Sequence, residues 1–209
     1  MTLVKICGIR TIEEALAAQN AGTWAIGQVF APSKRRVSIE EAAAVNHMLS
    51  ESIVKIGVFM DEPFNSLCSI ANECGLDIVQ LHGSESPEYV DSLPMPVIKT
   101  FKLDGPVESM EVKRWCAWGF LFDTGGPGIN GGSGTSFDWS WLDGLYGVPN
   151  LMLAGGLNPH NVQQAIKKVK PMAVDVSSGV EYPEGGKDPV KIKDFIQQVK
   201  EADANVSRS

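Results

Sequence analysis

The sequence predicts a single closed barrel of eight parallel strands, a (β/α)8 barrel, and three observations carry that prediction. Strand-like and helix-like stretches alternate eight times along 209 residues, roughly 26 residues per unit, and the length lies near the lower limit of roughly 200 for such a barrel. The strands have the composition of strands covered on both faces, as in a parallel sheet. Two consecutive strands near the C-terminal end also run into small-residue, amide-rich turns: Leu151–Asn161 (LMLAGGLNPHN) and Ala173–Glu181 (AVDVSSGVE). Neighbouring turns of this kind form a phosphate cup, the usual place for one in a β/α barrel. Its donors are expected at Gly155, Gly156, Ser177, Ser178 and Gly179. The alternative is an open doubly wound sheet, but no GxGxxG fingerprint follows the first strand.

The first strand is expected at Leu3–Cys7 and is broken by Gly8. Thr11 then caps a helix with apolar residues at helical spacing, and Gly22 stops it. Ala25–Phe30 is the second strand, ending in a basic loop, Pro32–Arg36. Ser38 and Glu41 have the spacing of a capping box for the next helix. Ile53–Phe59 is the third strand, and Pro63 opens a helix carrying Cys68 and Cys74. Ile78–Leu81 is the fourth, followed by a short helix from Pro87. Val97–Phe101 is the fifth, with weak helical character over Val107–Cys116. Gly119–Asp123 is the sixth, followed by a glycine-rich loop, Thr124–Phe137, and a short helix, Trp139–Leu145. After the seventh strand, Asn158 is expected as the N-cap of a helix with Pro159 in its first turn. After the eighth, Asp188 and Pro189 start a last amphipathic helix. The barrel is therefore expected over residues 1–200, with a frayed polar tail over 201–209.

Composition narrows the partners. Eighteen Lys and Arg stand against 25 Asp and Glu, a formal net charge of −7. Such a balance disfavours nucleic acid and anionic membranes, and it requires an anionic ligand to be held by local donors and one or two placed cations. Four cysteines show no CxxC pair and no Cys/His set at zinc spacing, which suits a reduced, cytoplasmic protein without a metal. No signal-peptide core or membrane-length apolar run occurs.

In a barrel of this type, residues at the C-terminal strand ends face the active site. Here these are Cys7, Phe30 with its loop to Arg36, Phe59, His82, Lys99 and Thr100, Asp123, and the two cup turns. Strands one and six are separated by two others, so Cys7 and Asp123 approach one cavity from different sides.

Val4–Arg10 (VKICGIR), Phe30–Ser38 (FAPSKRRVS), Val79–Gly83 (VQLHG), Leu121–Thr124 (LFDT), Gly131–Trp139 (GGSGTSFDW), Leu153–Val162 (LAGGLNPHNV) and Val174–Glu181 (VDVSSGVE) occur in that order. Together they resemble the phosphoribosylanthranilate isomerases of tryptophan biosynthesis, across nearly the whole chain. The resemblance implies a TIM barrel and an Amadori rearrangement of phosphoribosylanthranilate to a ketose phosphate. It also implies no cofactor, a small-molecule partner, and a monomer with a homodimer as the alternative. On these motifs Asp123 is the general acid, Cys7 the general base, and Arg35 the reader of the anthranilate carboxylate, with Lys34 and Arg36 as solvated neighbours.

The chemistry sets conditions on those roles. An ordinary aspartate titrates near pH 3.9, so an acid role needs burial or a nearby negative charge to raise it; Phe120–Phe122 offer an apolar wall. A thiol near 8.5 is mostly protonated at neutral pH, and Lys5, in phase with Cys7 on its strand, is expected to lower it. The low-pH limb of kcat/KM is then expected to belong to Cys7 and the high-pH limb to Asp123. Asp175 either binds a ribose hydroxyl, orients Cys7, or is a structural carboxylate. His82 either lines the ribose site or packs. Cys7 has the competing reading of a small buried residue, which is applied to Cys68, Cys74 and Cys116. His47 and His160 are surface residues on helices. The loop Gly125–Gly134 has the glycine content of a lid. The competing functions are another sugar-phosphate isomerase on the same barrel and a phosphosugar sensor without turnover.

Overall fold

A computed structural model describes residues 1–125, 136–145 and 147–206. The lid expected over residues 125–134 lies outside these apart from Gly125. Eight parallel strands close in sequential order. They are β1 (Leu3–Cys7), β2 (Ala25–Val29), β3 (Val54–Phe59), β4 (Ile78–Leu81), β5 (Val97–Leu103), β6 (Gly119–Thr124), β7 (Leu151–Leu153) and β8 (Ala173–Val176). The helices are α1 (Ile12–Ala21), α2 (Ile39–His47), α3 (Phe64–Glu73), α4 (Pro87–Ser92), α5 (Ser109–Val112), α6 (Val162–Val169) and α7 (Pro189–Val206). The helix expected at Trp139–Leu145 is a 3₁₀ turn over Trp139–Leu142.

The local signals explain most boundaries. The Thr11 hydroxyl accepts the Glu14 amide, and Gly22 ends α1 in the left-handed region at φ 95°. Ser38 and Glu41 close the expected capping box on α2. Asn158 is not the cap of α6, which starts four residues later behind Asn161. The intervening turn is held by side-chain amides instead: Asn158 Oδ1 accepts from the His160 amide at 2.9 Å, and Asn161 Oδ1 from the Asn158 amide at 2.9 Å. His160 therefore lies in that turn, not on a helix. The tail expected from residue 201 is helical through Val206. Ala202 is buried there, and the Asp203 carboxylate receives the Thr2 amide at 2.6 Å and hydroxyl at 2.8 Å.

Strand parity divides the interior in two. One set of residues fills the barrel with an apolar floor, including Ala25, Ile56, Ile78, Ile98, Leu121 and Met152. The opposite parity packs under the helices. Phe30 and Phe59 stack there at 5.0 Å, away from the barrel mouth where the sequence placed them. The strand β5 runs two residues past its expected end, which moves its mouth position to Lys102. Lys99 faces outward, 2.6 Å from Glu85 and over the Trp115 ring at 5.1 Å. Gln28 also faces outward, donating to the Ala42 carbonyl of α2 at 3.2 Å.

Candidate active site

Above the apolar floor lies a cavity of about 530 Å³. Cys7, Arg35, His82, Asp123, Gly155, Gly156, Asp175, Ser177 and Ser178 all line it, so nine of the ten residues expected from sequence share one space. Gly179 does not line it. A Cβ there would lie 2.0 Å from the Leu157 carbonyl oxygen, so Gly179 lets the two cup turns approach each other.

The acid–base end, named for the roles expected of Asp123 and Cys7, is built from β1, β4, β6 and β8. Asp123 is buried, its Oδ1 accepting the Thr124 amide at 2.8 Å and its Oδ2 lying 3.8 Å from His82 Nε2. Burial pushes its carboxyl up to about 6, helped by Asp175 and opposed by the Thr124 amide and by the charges of Lys102 and Lys5. Burial also depresses His82, to about 3, with Lys102, Lys5 and Lys99 adding to the effect, so the imidazole is neutral at physiological pH. Gly155 stands at φ 84°, and a Cβ there would lie 2.4 Å from Thr124 Oγ1 and 3.2 Å from Asp123 Oδ1. Any side chain would press on Asp123.

Lys5 is fully buried and donates to Asp175 Oδ2 at 2.9 Å. Asp175 Oδ1 is buried with no hydrogen-bond partner among the described residues. Cys7 lies one residue pair further along β1, facing the same barrel interior. A Cβ on Gly27 would come within 2.9 Å of Cys7 Sγ and 3.1 Å of Lys5 Nζ, so a glycine on β2 makes room for both. Lys5 does pull on the thiol, as expected, but burial is the larger effect and Asp175 adds to it. The Cys7 thiol is raised, not lowered. The same cluster raises Lys5, because Asp175 and the thiol together outweigh the burial of its ammonium.

The anchoring end joins β2, β7 and β8. The amides of Gly155, Gly156 and Ser178 have no acceptor among the described residues. Gly155 and Gly156 hold positive φ, 84° and 63°, which turns the chain back at the strand end and leaves these donors at the cavity wall. Arg35 crosses directly above Gly8, where a Cβ would lie 2.5 Å from its Cδ. Its guanidinium is held by Glu181, through Nε to Oε1 at 2.6 Å and Nη2 to Oε2 at 2.9 Å. Lys34 and Arg36 are exposed, as expected of neighbours; Lys34 stands at the cavity rim. Of the other cysteines, Cys74 is buried, Cys68 is half-buried, and Cys116 is exposed, which corrects the reading of Cys116 as core.

Sequence reasoning missed Gln80, Lys102, Glu181 and Lys187. Gln80 and Lys102 were legible in principle: each lies two residues along its strand from His82 or Thr100, on the same face. Glu181 and Lys187 were not, because their partners are set by the fold of a loop. Among the described residues no group of three His, Cys, Asp or Glu side chains could hold a metal ion, and no helix is long and apolar enough to cross a membrane.

Residues 4–198 match the family described as N-(5'phosphoribosyl)anthranilate (PRA) isomerase. The chain is 55% identical over 201 residues to the N-(5'-phosphoribosyl)anthranilate isomerase of Syntrophomonas wolfei, covering 96% of this chain and 98% of the relative. Its fold superposes on the crystal structure of phosphoribosyl anthranilate isomerase from Thermus thermophilus with a TM-score of 0.88 at 35% identity, covering 96% and 99% of the two chains. A second solved structure has a TM-score of 0.81 at 36% identity, covering 96% and 100%. It is a phosphoribosyl anthranilate isomerase in complex with reduced 1-(o-carboxyphenylamino)-1-deoxyribulose 5-phosphate.

Proposed function

The chain belongs to the N-(5'-phosphoribosyl)anthranilate isomerase family, and from that premise we propose how its own residues divide the reaction. The enzyme converts the aminoaldose N-(5'-phosphoribosyl)anthranilate to 1-(2-carboxyphenylamino)-1-deoxyribulose 5-phosphate. Asp123 gives its proton to the ribose ring oxygen while the amine lone pair opens the ring to an iminium at C1′. Cys7 thiolate then removes the proton from C2′, and the electrons released neutralise the iminium to an enolamine. Reprotonation at C1′ and loss of the hydroxyl proton at C2′ give the ketose.

The observation that carries this reading is a raised carboxyl and a thiol on β6 and β1, lining one cavity that the amide-rich turns close at β7 and β8. The free amides of Gly155, Gly156 and Ser178 receive the phosphate. Asp175 Oδ1, buried and without a donor among the described residues, takes a ribose hydroxyl. Arg35 still offers three N–H groups once Glu181 has taken two, and the two on its Nη1/Nη2 edge can read a carboxylate with parallel bonds. His82, neutral and beside Asp123, lines the ribose site. The protein acts as a cytoplasmic monomer, which sedimentation at micromolar concentration checks.

The test is turnover of phosphoribosylanthranilate made in situ and followed spectroscopically. Asp123→Asn and Cys7→Ser should each lower kcat by roughly 10²–10⁴ while product-analogue binding persists. A double variant should be little worse than either single one. Near-parental kcat in both single variants would sink the acid–base assignment, and absence of turnover in the parent would favour the sensor.

A further inference from the structure

The two anion-reading parts of the anchoring end are not independent. Glu181 stands between them, with a side chain only 9% exposed. On one side it takes the Nε/Nη2 edge of Arg35. On the other its Oε1 accepts Lys187 Nζ at 2.8 Å. That ammonium, 1% exposed, also donates to the Ser177 carbonyl at 3.2 Å and lies 3.3 Å from the Ser177 hydroxyl. The chain of contacts therefore runs from the arginine of the β2 loop to a serine of the cup.

Its frame is rigid. Lys191 Nζ donates to the Glu181 carbonyl at 2.7 Å, Glu181 and Lys187 face each other across a short antiparallel bridge, and Glu14 receives the Lys187 amide at 2.9 Å. Burial alone would raise the Glu181 carboxyl, but the hydrogen bonds and charges of Arg35 and Lys187 bring it down to about 2, so it is an anion throughout the working range. Two cations and one anion thus share a small buried volume, and each charge sets what its neighbours present to the cavity.

We propose that Glu181 and Lys187 are positioning residues that divide the substrate's two anions between the two ends of this chain. Glu181 blocks the side edge of Arg35, so that only its Nη1/Nη2 edge meets a carboxylate. It also draws part of Lys187's charge away from the cup, while Lys187 holds Ser177 and supplies the remaining positive field behind the phosphate. The inference rests on the reading of Arg35 and the cup given above. Its consequence is an opposite response of two ligands to one substitution. A merely structural Glu181 would not produce that.

The experiment measures two probes by calorimetry: inorganic phosphate, which reads the cup, and reduced 1-(o-carboxyphenylamino)-1-deoxyribulose 5-phosphate, which reads both ends. Glu181→Gln should bind the analogue about tenfold more weakly, because Arg35 loses its fork. The same variant should bind phosphate about twofold to tenfold more tightly, because Lys187 loses its counter-charge. In turnover its loss should fall on KM more than on kcat. Lys187→Met should weaken both probes by a similar factor, about tenfold. Glu181→Asp keeps the charge but is one methylene short, so phosphate affinity should stay within about twofold while the analogue still weakens; it also serves if Glu181→Gln folds poorly. Shifts of both probes in the same direction in the Glu181 variants, or no shift in either probe, would overturn the inference. Failure of the parent to bind phosphate in competition with the analogue, or parental analogue affinity in Arg35→Met, would instead remove the reading beneath it.

Discussion

Asp123 lines the cavity and Glu181 stands behind Arg35, which lines it too; the two carboxylate side chains are 12% and 9% exposed. One is pushed up to about 6 and the other pulled down to about 2. Exposure does not separate them; partners do. Glu181 accepts charge-assisted hydrogen bonds from Arg35 and Lys187, which more than replace the water it has lost. Asp123 receives one backbone amide and faces a neutral imidazole, with Lys102 and Lys5 acting only through space. The anchoring end thus pairs its charges and fixes geometry. The acid–base end leaves a carboxyl under-solvated, which keeps a proton available near neutral pH.

The largest effect on binding should come from breaking the paired end. Arg35→Met removes the proposed carboxylate reader and leaves Glu181 to Lys187 alone, so the reduced product analogue should bind more weakly by roughly 2–4 kcal/mol. Arg35→Lys keeps the charge without the fork and should fall between the two. Calorimetry at low and moderate salt checks both, and parental affinity in both variants would show that another cation reads the carboxylate.

This comparison also shows what the sequence could and could not carry. The barrel was legible because strand–helix alternation and caps such as Thr11 and Ser38–Glu41 act locally. That the two cup turns, Cys7, His82, Asp123 and Asp175 would meet at one cavity was legible from the motifs that hold them. Signs of interactions were not. Lys5 in phase with Cys7 suggests a lowered thiol, yet burial outweighs it, and burial is a property of the closed barrel. The Arg35–Glu181–Lys187 chain joins residues up to 152 positions apart, through a loop whose path no local pattern specifies. Lys102 was lost to a two-residue error in a strand end, which shifts which residue reaches the mouth.

A second prediction sets the two carboxylates against each other in stability. The folded value of Asp123, about 6, lies above its unfolded value near 3.9. The folded state therefore binds the proton more tightly, and the ionised carboxyl costs stability that is absent below about pH 4 and complete above about pH 6. Asp123→Asn should raise unfolding free energy at pH 8 by about 1–3 kcal/mol, allowing for water in the cavity, and by little at pH 4. Glu181 has the reverse sign. Its folded value, about 2, lies below the unfolded one near 4.3, so its contribution is present above about pH 4 and is lost as pH falls through 2. Glu181→Gln should cost about 1–2 kcal/mol at pH 7. Urea unfolding of both variants at two pH values decides it; changes of the same sign at neutral pH would break the contrast.

The smallest effect concerns Lys102, which makes no ion pair among the described residues. In the free enzyme Asp123 titrates near 6 while Cys7 lies above the ordinary thiol value, so the acid has the lower pKa of the two. The reactive form, Asp123 protonated with Cys7 ionised, is then a minor species between the two values. The limbs of kcat/KM exchange owners relative to the expectation from sequence: below about pH 6 Asp123 is fully protonated and the rate climbs with Cys7 ionisation, so the low-pH bend falls at the pKa of Asp123, and the high-pH bend at that of Cys7. Around Asp123 stand His82 just after β4, Lys102 on β5, Cys7 and Lys5 on β1, and Asp175 on β8. Lys102 pairs in register with Asp123, shares its face of the sheet and is exposed at the mouth. Removing its charge should release the downward pull on Asp123, so Lys102→Met should move the low-pH bend upward, while Lys102→Arg should leave it in place. Because Lys102 is exposed, about 1 M salt should screen the same pull in the parent and move its bend the same way, with less effect in Lys102→Met. A bend that stays put in Lys102→Met, or one that tracks substitutions at Cys7 instead, would return the low-pH limb to the thiol.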